Sequence, residues 1–155
     1  MIGSAEAVPV RGYVLSPNEG EHLILRGGSI FIKTAARAGS RNLAFGTQQV
    51  PKGVGIPIHR HWKMDEAFYV IEGGGTFILE DVRHSIEQGG SIFIPANAWH
   101  GFENQEHELV LLWMVAPTGL EAFFREVGTP AGVLPTRRTK DQLNEIARRY
   151  ETEFR

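Results

Sequence analysis

Residues 59–66 read HRHWKMDE and hold two of the six histidines in a 155-residue chain. His59 and His61 are two positions apart, and in an extended strand that spacing sends both imidazoles to the same face. Glu66 follows after four intervening residues, WKMD, enough to turn the chain and start another strand. Three donors from two adjacent strands can then meet at one point. His100, in PANAWHGFEN, is a fourth candidate, and a closed barrel would bring it in from a distant strand. Neutral imidazole and carboxylate are suitable ligands for Fe, Mn, Ni, Cu or Zn. With no cysteine in the chain, thiolate ligands and disulfides are excluded. His22, His84 and His107 stand outside this pattern and read as surface histidines. Alternation turns Asp65 away from Glu66, as a solvated turn residue, and Lys63 reads as exposed.

The elements that must position these donors are short and extended. YVLS (13–16), HLILRGG (22–28), SIFIKT (29–34), LAFGTQQV (43–50) and VGIPIHRH (54–61) read as strands. EAFYVIE (66–72) and GTFILED (75–81) follow, joined by Gly73 and Gly74 as in a tight hairpin. VRHSIE (82–87), GSIFIP (90–95), WHGFEN (99–104) and HELVLLWMVA (107–116) complete the series. Strands at such regular spacing imply an all-β sandwich or barrel. LVLLWMV is apolar on both faces, which predicts a central strand with something packed outside it. The period then changes. TGLEAFFREVG predicts a helix with a Thr118–Glu121 capping box and a stop at Gly128. After a Pro-containing linker, Thr139 and Gln142 form a second predicted box. Leu143, Ile146, Ala147, Tyr150 and Phe154 make an apolar stripe that should dock on the barrel or on a sister subunit.

Composition is that of an ordinary globular protein, 42% hydrophobic and 22% charged with net charge −2. The absence of a basic field argues against nucleic acid as a partner. No apolar run approaches a membrane span, and the first residues do not read as a signal peptide, so the expected location is cytoplasmic. There is no phosphate-binding loop, nucleophile elbow or dinucleotide fingerprint.

The spacing of the donors resembles the cupin superfamily. Its first motif runs G, five residues, H-x-H, three or four residues, E, six residues, G, and it is matched by Gly53, His59, His61, Glu66 and Gly73. Its second runs G, five residues, P-x-G, two residues, H, three residues, N, matched by Gly89, Pro95, Asn97, His100 and Asn104. The one departure is Asn97 in place of glycine, and Asn tolerates the left-handed backbone best among the other residues. The resemblance implies an all-β, double-stranded β-helix (jelly-roll) barrel with C-terminal α-helices. Residues 1–116 would form the barrel, with the motifs at 53–73 and 89–104, and residues 117–155 a helical extension packed on it. It also implies a homodimer and one divalent transition metal, with Fe, Mn or Ni ahead of Zn or Cu, held by His59, His61, Glu66 and His100.

Strand alternation places Phe68, Val70 and Phe102 inward as a candidate substrate pocket, while the faces of Phe45, Phe77, Ile92, Trp99 and Met114 depend on register. The tail APTGLEAFFREVG is similar to that of small cupins grouped with quercetinase-like dioxygenases. This resemblance implies a metal-dependent dioxygenase acting on a small enol, phenol or diketone, with Glu66 as ligand and general base. A non-redox lyase or isomerase at the same site stays open, as does a protein that binds metal and a small molecule without turnover.

Overall fold

A computed structural model of the chain describes residues 11–103 and 106–155. Asn104, the last position of the second motif, lies outside the described residues. The strands are β1 (Glu21–Leu25), β2 (Gly28–Thr34), β3 (Ala44–Val50), β4 (Ile56–His61), β5 (Asp65–Glu72) and β6 (Gly74–Leu79). They continue with β7 (Val82–Glu87), β8 (Ser91–Ile94), β9 (His100–Glu103) and β10 (Leu109–Ala116). Helix α1 (Leu120–Val127), β11 (Thr129–Pro130), helix α2 (Lys140–Arg149) and β12 (Thr152–Phe154) close the chain.

Two antiparallel sheets form the barrel. One has the order β11-β1-β2-β3-β10-β5-β8 and the other β12-β4-β9-β6-β7. From β3 onward the chain passes back and forth between them, as a jelly roll does. The expected hairpin at Gly73 and Gly74 is therefore not one, because β5 and β6 belong to opposite sheets. Gly73 instead carries the chain across, with φ +80° and no room for a side chain: a Cβ there would lie 2.0 Å from the Glu108 carbonyl oxygen.

Alternation fills the interior. In β3 every second residue from Ala44 to Val50 is buried, and β10 buries Leu109, Leu111, Trp113 and Val115. Trp113 faces Phe68 on one side and Gly46 on the other. Gly46 is the space that admits the indole, since a Cβ there would stand 2.8 Å from Trp113 Cζ2. β10 is central, as its apolar run predicts, but Met114 on its outer face remains exposed. YVLS (13–16) forms no strand, and the Tyr13 hydroxyl donates to the Lys33 carbonyl at 2.8 Å.

The tail departs from its expected form in two places. Gly119, not Thr118, caps α1, and the Glu121 carboxylate accepts from its N–H at 2.7 Å. The Thr139–Gln142 capping box is present at the start of α2. However, α2 ends at Arg149, because Glu151 takes a left-handed φ of +56°. The last residues become β12, which pairs with β4 as Thr152 with His61 and Phe154 with His59. Ile146 and Ala147 are buried against the barrel core, so the stripe of α2 is spent within its own chain. Neither helix is long and apolar enough to cross a membrane.

Candidate metal centre

Strand β4 is the keel of the site. Its period of two puts His59 and His61 on the inner face, while Arg60 points out, stacks on Trp99 and pairs with Glu153. His100 begins β9 and lies directly beside His59, their ring centroids 4.2 Å apart. Glu66 enters from β5 in the facing sheet, not from an adjacent strand as its place in the sequence suggests. The four donors therefore converge from both walls of the barrel, with one nitrogen or oxygen of each within 4.8 Å of the others. All four residues are buried.

Each imidazole is held from behind. His59 Nδ1 donates to the Pro57 carbonyl at 2.7 Å, and His100 Nδ1 donates to the Ala98 carbonyl at 2.9 Å. A carbonyl only accepts, so both protons sit on Nδ1. His61 Nδ1 lies 2.8 Å from Thr152 Oγ1, whose hydroxyl proton goes to the Tyr150 carbonyl at 3.1 Å. That hydroxyl can only accept from His61, which fixes the same tautomer. With Nδ1 tied back, the three rings turn Nε2 towards one another and towards Glu66.

This donor set fits a cation. His61 Nε2 is buried without a hydrogen-bond partner, and Glu66 Oε2 lies 3.3 Å from it and 2.9 Å from His100 Nε2. Lone pairs facing a carboxylate at that range need a proton or a metal between them. Burial alone would push the Glu66 carboxyl up. The His61 and His100 imidazoles beside it outweigh burial and hold it far below the ordinary carboxylate range. Burial lowers His59 well below 6.5, and the neighbouring His100 and His61 add to that. Both shifts favour the forms that ligate metal.

The group opens into a cavity of about 340 Å³, where His59, His61, Glu66 and Phe68 form the floor. Leu120, Phe123, Phe124 and Val127 of α1 form one side, and Leu143 of α2, Thr152 and Phe154 close another. Of the three expected pocket residues only Phe68 lines it. Val70 and Phe102 are buried in the core beneath, where Phe102 meets Phe68 edge to face at 5.1 Å. Phe77 is core and Phe45 turns outward beside Met114. Asp65 is exposed, as alternation predicts, but it is more than solvated: its carboxylate accepts from the Ala96 N–H at 2.9 Å. Lys63 is exposed and pairs with Glu151. His84 and His107 lie at the surface, while His22 is half-buried against Phe31. Asn97 takes φ +71°, the left-handed turn that the second motif requires.

Thr152, Gln48 and Arg26 also reach this site or its cavity, and sequence spacing does not single them out.

Comparison with known proteins agrees with the architecture. Residues 46–116 match the family model described as the cupin domain. These residues form a cupin domain. The chain is 29% identical over 124 residues to quercetin 2,3-dioxygenase of Bacillus subtilis (strain 168), covering 80% of this chain and 36% of that protein. The chain therefore spans about a third of that enzyme's length. The polyketide cyclase RemF of Streptomyces resistomycificus superposes with a TM-score of 0.64 at 18% identity, over 86% of this chain and 92% of its own. An RmlC-like cupin from Shewanella frigidimarina gives 0.63 at 18%, over 72% and 96%. Both share the fold.

Proposed function

We propose that the protein is a metal-dependent dioxygenase acting on a small enol, phenol or diketone. The observation that carries this reading is the convergence of three imidazole nitrogens and one carboxylate oxygen beside a mostly apolar cavity. The similarity to a quercetin dioxygenase supports the reaction class. His59, His61, Glu66 and His100 would hold iron, manganese or nickel, with zinc and copper also suited to the donor set. When bound, iron, manganese or nickel would acidify a coordinated substrate oxygen and give dioxygen a redox partner.

The chain's own groups have separable tasks. Pro57, Ala98 and Thr152 aim the three imidazoles. Phe68, Phe123, Phe124 and Phe154 exclude water from a flat substrate. Glu66 is positioned to take the proton of an enol or phenol, but beside His61 and His100 its carboxyl lies far below the range of a working base. Proton uptake therefore requires it to move away from them. We also propose a homodimer, because Tyr69, Ile71, Phe93 and Met114 leave an exposed apolar face on the larger sheet.

Oxygen uptake tests the reaction. Protein loaded separately with iron, manganese and nickel is given flavonols, catechols and β-diketones. Uptake with at least one pairing is expected, and its loss in His61→Ala. No uptake with any metal, together with turnover of the same panel under nitrogen, would replace the oxidative reading with lyase or isomerase chemistry.

A further inference from the structure

One cation on the cavity wall has no partner among the described residues. Arg26 reaches that wall from the turn between β1 and β2, where Leu25 pairs with Gly28 and only Arg26 and Gly27 lie between them. Both are left-handed, with φ +52° and +80°, as in a type I′ turn. That turn favours Asn, Asp or Gly, and a long side chain at its first position costs stability. Strain retained at a cavity wall points to use. Among the described residues Arg26 has no hydrogen bond or ion pair. Glu103, which shares a shallower depression with it, is already paired with Arg83. The other arginine on the cavity wall, Arg138, spends its guanidinium on the Glu126 and Val127 carbonyls at the end of α1. Arg26 is exposed as a residue, yet surrounding protein desolvates its guanidinium enough to lower its pKa.

A second polar group on the cavity wall is equally unspent. Gln48 on β3 is 9% exposed, and its amide makes no hydrogen bond to any described residue. Its neighbours across the sheet are Ile30 and Leu111, both apolar. An amide at the cavity wall with no protein partner is left for a ligand or water to complete. The cavity therefore has acceptors at the His–Glu end, an uncommitted amide in its wall and an uncommitted guanidinium at its rim, with aromatic and aliphatic carbon between them.

We infer that Arg26 and Gln48 are substrate-binding residues, and that the substrate is an aromatic or enolic acid. Its hydroxyl or enol oxygen is directed to His59, His61, Glu66 and His100, a second oxygen meets the Gln48 amide, and its carboxylate pairs with Arg26. The guanidinium fork matches a carboxylate in shape as well as charge. This deepens the dioxygenase reading and rests on it for the orientation of the hydroxyl end only.

The test uses the full chain loaded with redox-inert zinc and two probes of one shape, 6-hydroxy-2-naphthoate and 6-hydroxy-2-naphthamide. Both Kd values are read by fluorescence titration. The acid is expected to bind more tightly by roughly tenfold, the scale of one partly exposed charge-assisted contact. Arg26→Asn should erase that preference while leaving the amide's Kd and zinc affinity unchanged. Its melting temperature should match or exceed the parent's, since Asn suits the turn. Gln48→Leu should weaken both probes about fivefold, as loss of a neutral hydrogen bond does. Equal binding of the two probes, binding of neither, or a preference that survives Arg26→Asn would overturn the inference. Because zinc supports no oxidation, failure here is separate from absence of oxygen uptake with iron, manganese or nickel.

Discussion

The C-terminal strand makes a strong demand on the metal centre. In Thr152→Val the shape of the side chain is kept and the hydroxyl is lost. Thr152 and His61 are 1% and 2% exposed, so water does not replace the missing group. His61 Nδ1–H then loses an acceptor at 2.8 Å, and the Tyr150 carbonyl loses a donor at 3.1 Å. Each buried group left without a partner costs about 1–3 kcal/mol, and the carbonyl can recover part of its share from solvent. About 2 kcal/mol is therefore expected in the metal-free protein, read from urea denaturation. The effect on metal should be distinct. Freed from Thr152, the ring can move its proton to Nε2 and donate to Glu66, 3.3 Å away, which stabilises the metal-free state and removes a ligand lone pair. Zinc affinity should thus fall roughly 10- to 100-fold, the range typical of groups that orient a ligand from behind. Titration against a competing chelator measures it, and Thr152→Ser should restore most of the loss. Zinc affinity in Thr152→Val within about twofold of the parent would refute the claim that β12 sets the ring's tautomer.

Three other outcomes follow from the same structure. Because His59 is held well below its ordinary 6.5, the unfolded chain takes up that proton first as pH falls. Its contribution is complete above about 6.5 and is lost as pH falls from there towards its lower folded value; Glu66 adds a loss only at stronger acidity. The melting temperature of metal-free protein should therefore drop between about pH 7 and about pH 5, and His59→Asn should flatten that slope. Gly46→Ala places a Cβ 1.8 Å from the Phe31 carbonyl oxygen and 2.8 Å from Trp113, so it should cost at least about 2 kcal/mol in urea denaturation; a cost under about 0.5 kcal/mol would show that the sheet relaxes freely there. Phe93→Asp puts a charge in the exposed face of the larger sheet and should halve the mass seen by light scattering if that face joins two copies.

The sequence made the donors legible because two periodicities agree there. A period of two aims His59 and His61 together, and the turn residues around Glu66 and His100 stand at intervals that admit few other arrangements. What stayed hidden depends on which sheet a strand joins. Gly73 and Gly74 have the composition of a hairpin, yet Gly73 must pass close under the Glu108 carbonyl, and that demand arises from a strand more than thirty residues later. The same limit applies to Glu66, whose place opposite the histidines follows from the sheet crossing after His61. Val70 and Phe102 face inward as alternation predicts, but facing inward only selects core or cavity, and α1 decides between them by covering Phe68's end of the barrel. The end of α2 escapes the hydrophobic pattern for a local reason. Tyr150 and Phe154 keep helical spacing, while the left-handed turn at Glu151 leaves no mark in the hydrophobic pattern.

Several parts that complete the site lie outside its motifs. The match to the cupin domain ends at residue 116, yet the acceptor behind His61 is Thr152 and the cavity's far walls come from α1, α2 and Phe154. The barrel can bring four donors together, but two of its strands have edges that the tail covers: β11 pairs β1 beside the Arg26 turn, and β12 pairs the ligating strand β4 along His59 and His61. Deleting residues 152–155 should therefore weaken zinc binding more than Thr152→Val does, since it removes the ring's acceptor, the aromatic wall at Phe154 and the edge pairing of β4 together. The deletion would separate a motif-contained site from a tail-completed one: equal zinc affinity in the truncated and full chains would mean that the motifs suffice, whereas a loss beyond the single substitution would assign the tail a direct part in holding the metal.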